Sequence, residues 1–378
     1  MPQELMAFFR SAAPEDFIFP GVVAGIWLLL VLYTLFFRLR LALLKPSRAQ
    51  ETAQSFSVIM VQRNEEQNLV KNLPGWLSLG YPHYEVVVVD DYSEDNSLTK
   101  LGLMKQQYPR LKMTGLNQET RFSQKLSRNL AMKAAAHDKV VFAHPSMEMP
   151  HHQWLPTISA AFSKERKVVV GYTATLPDKG FYHKLFRTES FFQQTESMAF
   201  CLNGLPWVAN EENVAFSRQA YFDINGFAGR MREEYLNMEV IFNSIIRRRE
   251  TAILPWANLV LRRETNAGKQ EFRDLIHKFF VLEKELSFGK VWLRRFFSLL
   301  KMAMVPLALA CLLHYPVLWM PLLILLILLL ILSAVSIKLI QKRLNEPGIF
   351  IPSLLYGFLA PWYRMLARWG FDFRRKNR

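Results

Sequence analysis

The chain has 378 residues, of which 51% are hydrophobic and 21% are charged, and its mean hydropathy is +0.06. A purely soluble protein is excluded because the apolar residues are concentrated in two uncharged stretches, residues 17–37 and 317–337. Lys and Arg total 47 against 32 Asp and Glu, and this net charge of +15 suits an anionic membrane or a phosphate-rich substrate. No nucleic-acid-binding motif accompanies the charge, so we expect no nucleic-acid partner.

The first apolar stretch, residues 17–37, is long enough as a helix to span roughly 30 Å, the thickness of the bilayer hydrocarbon. Acidic residues precede it and no small-residue cleavage site follows it, so we interpret it as a retained anchor rather than a signal peptide. Four basic residues lie in the linker that follows, residues 38–55. The positive-inside rule therefore predicts that the N-terminal segment, residues 1–16, lies outside the membrane and the linker inside.

Residues 56–290 have an ordinary globular composition and are predicted to form one cytoplasmic domain. Helical spacing of leucines and other apolar residues predicts helices at 65–79 and 124–136. Short runs rich in β-branched residues predict strands at 56–62, 84–89, 139–143 and 167–172. Strands that alternate with helices indicate an α/β domain with a parallel sheet.

Residues 291–337 are predicted to form a transmembrane hairpin, because two apolar runs meet at a short turn and basic residues flank both outer ends. Lys301 interrupts the first run, so a buried core helix is the alternative for that arm. The last segment, residues 338–378, carries nine Lys and Arg against two Asp and Glu. Its apolar part, residues 349–371, predicts a helix lying at an anionic membrane interface rather than a further span.

The sharpest chemical feature is a pair of carboxylates, Asp90 and Asp91, that directly follows the apolar run 86–89. Ligands of open α/β sheets bind beyond the carboxyl ends of the strands, where carboxylates accept hydrogen bonds from a base or from ribose hydroxyls. The alternative is that Asp91 or Ser93 caps the next helix.

Together with further motifs, this segment resembles the family 2 glycosyltransferases. The motifs lie at residues 57–69, 80–82 and 85–95, at Lys125 and Asn129, and at residues 213–218, 224–227 and 270–273. The resemblance covers residues 56–286 and implies a GT-A fold that takes a sugar from a nucleotide-diphosphate donor. A GT-A domain with one N-terminal transmembrane helix, a C-terminal transmembrane hairpin and an interfacial helix is the expected architecture.

The resemblance implies that Arg63, Glu65, Asp90 and Asp91 hold the nucleotide, with Asp91 nearest the base and ribose. It also implies that Lys125 lies near the donor phosphates. A solvated helix face is the alternative interpretation of Lys125.

The resemblance fails at the family's Asp-x-Asp motif, whose carboxylates hold the Mg²⁺ or Mn²⁺ that bridges the donor diphosphate. The matching positions here are His144, Pro145 and Ser146, so neither carboxylate is present. Glu148 comes two residues late, and His144 offers at best one softer ligand; a structural histidine is the alternative. The identity of any metal therefore stays open at this stage.

A second departure concerns the acidic cluster that supplies the base to the acceptor hydroxyl in family members. Only Glu239 matches it, and it is offset from the usual base. Glu233 and Glu234 come earlier in the chain and are either substitutes for the base or a solvated acidic turn.

The family's Gln-x-x-Arg-Trp motif, which lies over acceptor and diphosphate, is matched by Gln270 and Arg273, although Asp274 replaces its Trp. The alternative is that Arg273 pairs with Asp274 or Glu271 at the surface. A separate basic cluster, residues 247–249 with 262–263, faces the membrane, a pyrophosphate or solvent.

Two functions follow from the resemblance. The first is an integral inner-membrane glycosyltransferase whose cytoplasmic domain moves a sugar from a nucleotide donor to a lipid-linked or polysaccharide acceptor. In that case Lys125 and Arg273 replace the charge of the missing metal. The alternative is a catalytically inactive relative that keeps the nucleotide pocket and serves as a scaffold or protein partner in a glycan-assembly complex.

Overall fold

The computed structural model describes residues 6, 10–11, 13–45, 54–162, 166–233 and 235–376. They fall into two units. A membrane unit takes the residues up to Leu44, then Ser287–Lys342 and the residues from Pro347 onward. A globular unit takes Lys45–Leu286 and Arg343–Glu346.

The strands of the globular unit are rich in Val, Ile, Phe and Thr, residues whose branched or aromatic side chains favour a pleated backbone. The four valines of β2 are fully buried, as expected for a central parallel strand. The strands are β1 Phe56–Gln62, β2 Tyr84–Asp90, β3 Leu111–Gly115, β4 Lys139–Ala143, β5 Val168–Gly171, β6 Thr173–Thr175, β7 Val214–Ser217, β8 Thr251–Leu254 and β9 Leu261–Arg263.

Seven of these strands form one sheet in the order β3-β2-β1-β4-β7-β5-β8, and β6 pairs with β9 in a parallel ribbon. The predicted parallel pairing is confirmed for β1 to β4 and for β5 with β8. The sheet also contains β7, a strand that the sequence analysis did not predict, which runs antiparallel to β4 and β5. The backbone N–H of Asn213 bonds to the carbonyl of Phe142, so the chain enters β7 at the carboxyl end of β4 and must run back along it.

The helices alternate with the strands through the first half of the globular unit. Among the described residues, the α-helices of six residues or more are α1 Ile18–Tyr33, α2 Glu66–Leu77, α3 Ser97–Gln107, α4 Ser123–Ala134, α5 Trp154–Ala161, α6 Phe181–Leu202, α7 Arg218–Asp223, α8 Met238–Ile245, α9 Lys269–Glu285, α10 Phe288–His314, α11 Trp319–Leu344 and α12 Phe350–Lys376. Helix α2 buries Leu69, Leu73 and Trp76 in the core beside the sheet. The Trp76 indole N–H also bonds to the carbonyl of Met147 at 3.1 Å, which fixes the segment after β4.

Three stretches of the membrane unit are long and apolar enough to cross a bilayer, among the residues that the structure describes: Pro14–Ala42, Phe288–His314 and Pro316–Leu344. The N-terminal helix and the C-terminal pair predicted from the sequence are therefore present. Lys301, which interrupts the first arm of the pair, places its Nζ 4.9 Å from the ring centroid of Tyr33. A cation–π contact of this kind gives the ammonium group a partner in an apolar helix.

Candidate active site

Asp90, the first predicted carboxylate, ends β2 and shapes the turn that follows it. Its side chain accepts hydrogen bonds from the Gln62 amide and from the backbone N–H of Ser93, the latter at 3.0 Å. Tyr92 takes a φ of 58°, a left-handed conformation that is uncommon for an aromatic residue and marks a sharp change of chain direction. Asp90 thus holds the loop that leaves the strand.

Asp91 is 4% exposed and faces helix α4. It accepts hydrogen bonds from the hydroxyls of Ser127 at 2.9 Å and Ser123 at 3.3 Å. Helix α3 is held at its start by Asp95, which accepts the N–H of Ser97 at 2.9 Å. The interpretation of Asp91 as a helix cap is therefore wrong, because its carboxylate is committed to a different helix.

Arg63 and Glu65 lie on the loop after β1, beside the carboxyl end of β2. Arg63 is about one-third exposed and pairs with Glu119 at 2.5 Å and with Glu94 at 3.7 Å. One carboxylate oxygen of Glu65 lies 3.8 Å from Nε2 of His144. The predicted nucleotide residues are thus brought together at one sheet edge, and Glu65 connects them to the end of β4.

His144 and Ser146 follow β4, where the resemblance places the metal ligands. His144 Nδ1 lies 2.8 Å from the Ser146 hydroxyl oxygen, which also accepts a hydrogen bond from Nε of Arg263 at 3.2 Å. Burial lowers the pKa of His144 well below its usual range, and the guanidinium groups of Arg263 and Arg128 lower it further. The imidazole is therefore neutral at physiological pH.

These residues do not fit a divalent cation. Among the described residues no group of three or more His, Cys, Asp or Glu side chains is arranged to hold a metal. Mg²⁺ and Mn²⁺ favour several oxygen ligands with carboxylates among them, whereas the end of β4 offers an imidazole and a hydroxyl already bonded to a guanidinium.

Two arginine–glutamate pairs surround this strand end. Arg128, on α4, binds both carboxylate oxygens of Glu211, with Nε 2.8 Å from one of them. Burial would lower the pKa of Arg128, but the charge and hydrogen bonds of Glu211, together with the charges of Glu239 and Asp91, raise it. Burial would likewise raise the pKa of Glu211, yet Arg128 lowers it, so both groups are ionised. Glu212, the next residue, binds Nη1 of Arg263.

A third ion pair joins Glu239, on α8, to Lys278, on α9, with 2.5 Å between Nζ and Oε1. Glu239 is completely buried, and its Oε2 accepts the backbone N–H of Asn237 at 2.9 Å, where α8 begins. Burial would lower the pKa of Lys278, but the charges of Glu239 and Glu211 raise it. The predicted base is therefore held in a structural ion pair, and its catalytic role stays a prediction.

A cavity of about 500 Å³ opens beside these pairs. Its volume is in the range that binds small molecules. Thr173 contributes a buried hydroxyl that has no hydrogen-bond partner in the described part of the chain. The polar side chains that line the cavity include Thr173, Gln193, Gln194, Asn210, Glu212, Tyr235, Arg263, Glu271, Asp274 and Lys278.

Lys125 is buried, so its interpretation as part of a solvated helix face is wrong. Its Nζ donates to the backbone carbonyl of Glu233. Glu234, the other candidate substitute for the base, lies outside the described residues.

Gln270 is exposed and donates to Asp274 at 2.9 Å, so the amide is engaged at the surface of α9. Arg273 is half-buried and forms no ion pair with any described residue, which removes the proposed pairing with Asp274 or Glu271. Glu271 and Asp274 line the cavity, whereas Arg273 is not among its lining residues. The structure does not bring Gln270 and Arg273 to the cavity wall.

The sequence analysis did not identify four of the charged residues that form the ion pairs of this site. Glu211 and Glu212 form a carboxylate doublet directly before the motif at 213–218, and this doublet is a signal that could have been used. Arg128 lies one helical turn after Lys125, and Lys278 lies on the same helix as Arg273.

Residues 57–232 match the family model described as Glycosyl transferase family 2. The mannosyltransferase PcManGT from Pyrobaculum calidifontis, solved with GDP-Man and Mn²⁺, is similar with a TM-score of 0.54 at 17% identity, over 90% of this chain and 97% of that chain. Residues 1–349 of S. aureus TarS, solved with UDP-GlcNAc, give a TM-score of 0.43 at 14% identity, over 85% and 92% of the two chains. No curated protein matches the chain significantly. The resemblance to family 2 and the GT-A fold are thereby confirmed.

Proposed function

We propose that this chain, whose globular unit has the GT-A fold and the sequence pattern of the family 2 glycosyltransferases, is a membrane-bound glycosyltransferase. It moves a sugar from a nucleotide-diphosphate donor to a lipid-linked or polysaccharide acceptor. The observation that carries the proposal is a set of polar side chains that leads from the end of β2 to the cavity. Ser127 bonds to Asp91, the next residue, Arg128, pairs with Glu211, and the residue after Glu211, Glu212, lines the cavity.

The nucleotide is held at the carboxyl ends of β1 and β2. An ionised carboxylate has about four lone-pair sites. The two serine hydroxyls occupy two of those sites on Asp91, which leaves acceptor capacity for a base N–H or a ribose hydroxyl. Asp90 and Glu65 hold the neighbouring loops in shape, and Arg63 supplies positive charge at the rim.

The sugar lies in the cavity, where transfer is an in-line displacement. The acceptor hydroxyl oxygen attacks the anomeric carbon, the bond from that carbon to the diphosphate oxygen breaks, and the electron pair leaves with the nucleoside diphosphate. The hydroxyl proton passes to a carboxylate, for which we propose Glu212. Glu212 lines the cavity, whereas Glu239 is fully buried in its pair with Lys278.

The membrane unit delivers this domain to its acceptor. Arg38 and Arg40 lie near the end of Pro14–Ala42, and Lys338, Lys342 and Arg343 lie near the end of Pro316–Leu344, in each case on the side that leads into the globular unit. The positive-inside rule supports a cytoplasmic globular domain, an outside N-terminus and an inner-membrane location. Helix α12, apolar on one side and basic near its end, lies along the anionic interface in this proposal.

The test uses the purified full chain in lipid nanodiscs with a panel of UDP- and GDP-sugars. We expect one donor to be consumed, with release of its nucleoside diphosphate, when extracted membrane lipids or polysaccharide precursors are added. Mass spectrometry of the acceptor then identifies the added sugar. Nucleotide binding without turnover for any donor and acceptor would favour the scaffold function, which the missing Asp-x-Asp carboxylates otherwise support.

A further inference from the structure

Arg263 lies beside the end of β4, where the resemblance implies a divalent cation, and backbone hydrogen bonds fix its position. Arg263 ends β9 and forms an antiparallel bridge with Met147. The next residue, Glu264, donates its N–H to the carbonyl of Ser146 at 2.9 Å. With the side-chain bond from Nε to the Ser146 hydroxyl at 3.2 Å, the guanidinium is fixed beside the segment that follows β4.

The charges around this arginine balance as they do in a metal site. Arg263 pairs with Glu212, and Arg128 pairs with the adjacent Glu211. Two guanidinium groups and two carboxylates sum to zero, as do a divalent cation and the two carboxylates of an Asp-x-Asp motif. The chain thus provides fixed positive charge from its own side chains, in groups that stay protonated at any physiological pH.

The guanidinium of Arg263 still has N–H groups that can donate hydrogen bonds to a ligand. Nε and Nη1 are taken by Ser146 and Glu212, while Nη2 forms no hydrogen bond with any residue that the structure describes. Arg263 lines the cavity of about 500 Å³, together with the unpartnered hydroxyl of Thr173. Planar N–H donors of this kind match phosphate oxygens and need no bridging ion.

We propose that Arg263 binds the diphosphate of the nucleotide-sugar donor in place of a divalent cation, so that donor binding is independent of metal. This inference rests on the proposed function of the same site. During transfer, the electron pair of the broken bond goes to the diphosphate oxygen, and the fixed charge of Arg263 stabilises it. Arg128 is a positioning residue, since its pair with Glu211 holds the loop that presents Glu212.

In this proposal Arg263 supplies the positive charge for the diphosphate, which the sequence analysis had assigned to Lys125 and Arg273. Nζ of Lys125 donates to the carbonyl of Glu233, and neither Lys125 nor Arg273 is among the residues that line the cavity. Of the arginines in the basic cluster, Arg263 alone belongs to the cavity wall, within the described residues.

The test is calorimetric titration of the detergent-purified full chain with UDP, GDP, UMP and GMP, in EDTA and in Mn²⁺. We expect one diphosphate to bind with a Kd that changes less than twofold between EDTA and Mn²⁺ and is at least tenfold lower than that of its monophosphate. Arg263→Gln should weaken diphosphate binding at least tenfold and change monophosphate binding less than twofold. Arg262→Gln, with the same charge change in the same strand, should leave both within twofold.

The variant leaves Glu212 without its partner, so a second variant guards against misfolding. Arg263→Gln with Glu212→Gln restores the charge balance, and its thermal unfolding midpoint reports the fold. A diphosphate Kd that requires Mn²⁺, or wild-type diphosphate affinity in a folded Arg263→Gln variant, would overturn the inference and leave the transferase proposal standing. Failure of the wild type to bind any of the four nucleotides would overturn both.

Discussion

Two strand ends of the same sheet differ in how closely they follow the family pattern. At the end of β2, Asp90 and Asp91 keep both carboxylates, supported by hydrogen bonds from Gln62 and Ser127. At the end of β4, the carboxylates are replaced by His144 and neighbours that bond to a guanidinium. In our proposal, recognition of the nucleoside at the β2 end and handling of the phosphate charge at the β4 end are separate tasks, carried by different residues.

The rebuilt end draws on parts of the chain that are far apart in sequence. Glu211 pairs with a residue 83 positions earlier, and Glu212 pairs with one 51 positions later. Both glutamates reach the site because the antiparallel strand β7 starts at the carboxyl end of β4. In our proposal, side chains that the fold brings together from distant parts of the chain take the place of a family motif made of neighbouring residues.

The largest effect is expected at the rebuilt end. Glu212→Gln should lower kcat by about 10²–10⁴-fold, the range that a positioned base contributes, without weakening donor binding. Steady-state rates measure this loss of kcat, with the donor and acceptor that the proposed nanodisc assay identifies. Glu250→Gln is the matched control, because this glutamate pairs with Lys167 away from the cavity, and its rate should stay within twofold. A normal rate in Glu212→Gln with loss in Glu239→Gln would assign the base to Glu239.

The second effect is on stability. Glu239→Gln leaves the ammonium group of Lys278 in a partly buried site without its charge partner, and removing one member of a buried pair costs on the order of 3 kcal/mol. Chemical unfolding of the full chain should show this loss, and Glu239→Gln with Lys278→Met should recover most of it. A single variant as stable as the wild type would show that Glu239 is not held structurally and would return it to the candidate bases.

The two strand ends also explain how far the sequence could be interpreted. Strands β1, β2, β4 and β5, the carboxylates at the end of β2 and the membrane helices were predicted because each is encoded by neighbouring residues with a recognisable period or spacing. The pairing of Glu212 with Arg263 depends on the antiparallel strand β7 and on the short strand β9, and no local sequence pattern predicts either strand. The burial of Lys125 could not be predicted for the same reason, since its partner carbonyl at Glu233 lies in a distant loop.

The third effect is on nucleotide binding at the end of β2, where the carboxylates of the family pattern are present. Asp91→Asn removes a charged acceptor and should weaken monophosphate and diphosphate binding equally, by about 10-fold or more. This contrasts with Arg263→Gln, which should affect only the diphosphates. Asp223→Asn is the control, because Asp223 is exposed and accepts a hydrogen bond from Gln219 on the surface of α7. Calorimetric Kd values decide, and unequal losses for the two nucleotide classes would contradict the separation of tasks.

The smallest effect is a pH dependence of stability that comes from the β4 end. Because the pKa of His144 is lowered in the folded state, the unfolded chain takes up its proton first as the pH falls below about 6.5. The free energy of unfolding should therefore decrease as the pH decreases, by at most about 1.4 kcal/mol per pH unit. Burial would raise the pKa of Glu85, but Lys112 and Ser57 lower it, so its contribution is lost only at more acidic pH.

Chemical unfolding of the wild type and His144→Asn at pH 7.5, 6.5 and 5.5 measures this slope. The variant should lose stability less steeply between pH 6.5 and 5.5, because an amide does not titrate and the positive charges of Arg128 and Arg263 no longer oppose protonation. His151→Asn, at an exposed position, should keep the wild-type slope. Equal slopes in the wild type and His144→Asn would mean that burial and the nearby arginines do not lower the pKa of His144 in the folded chain.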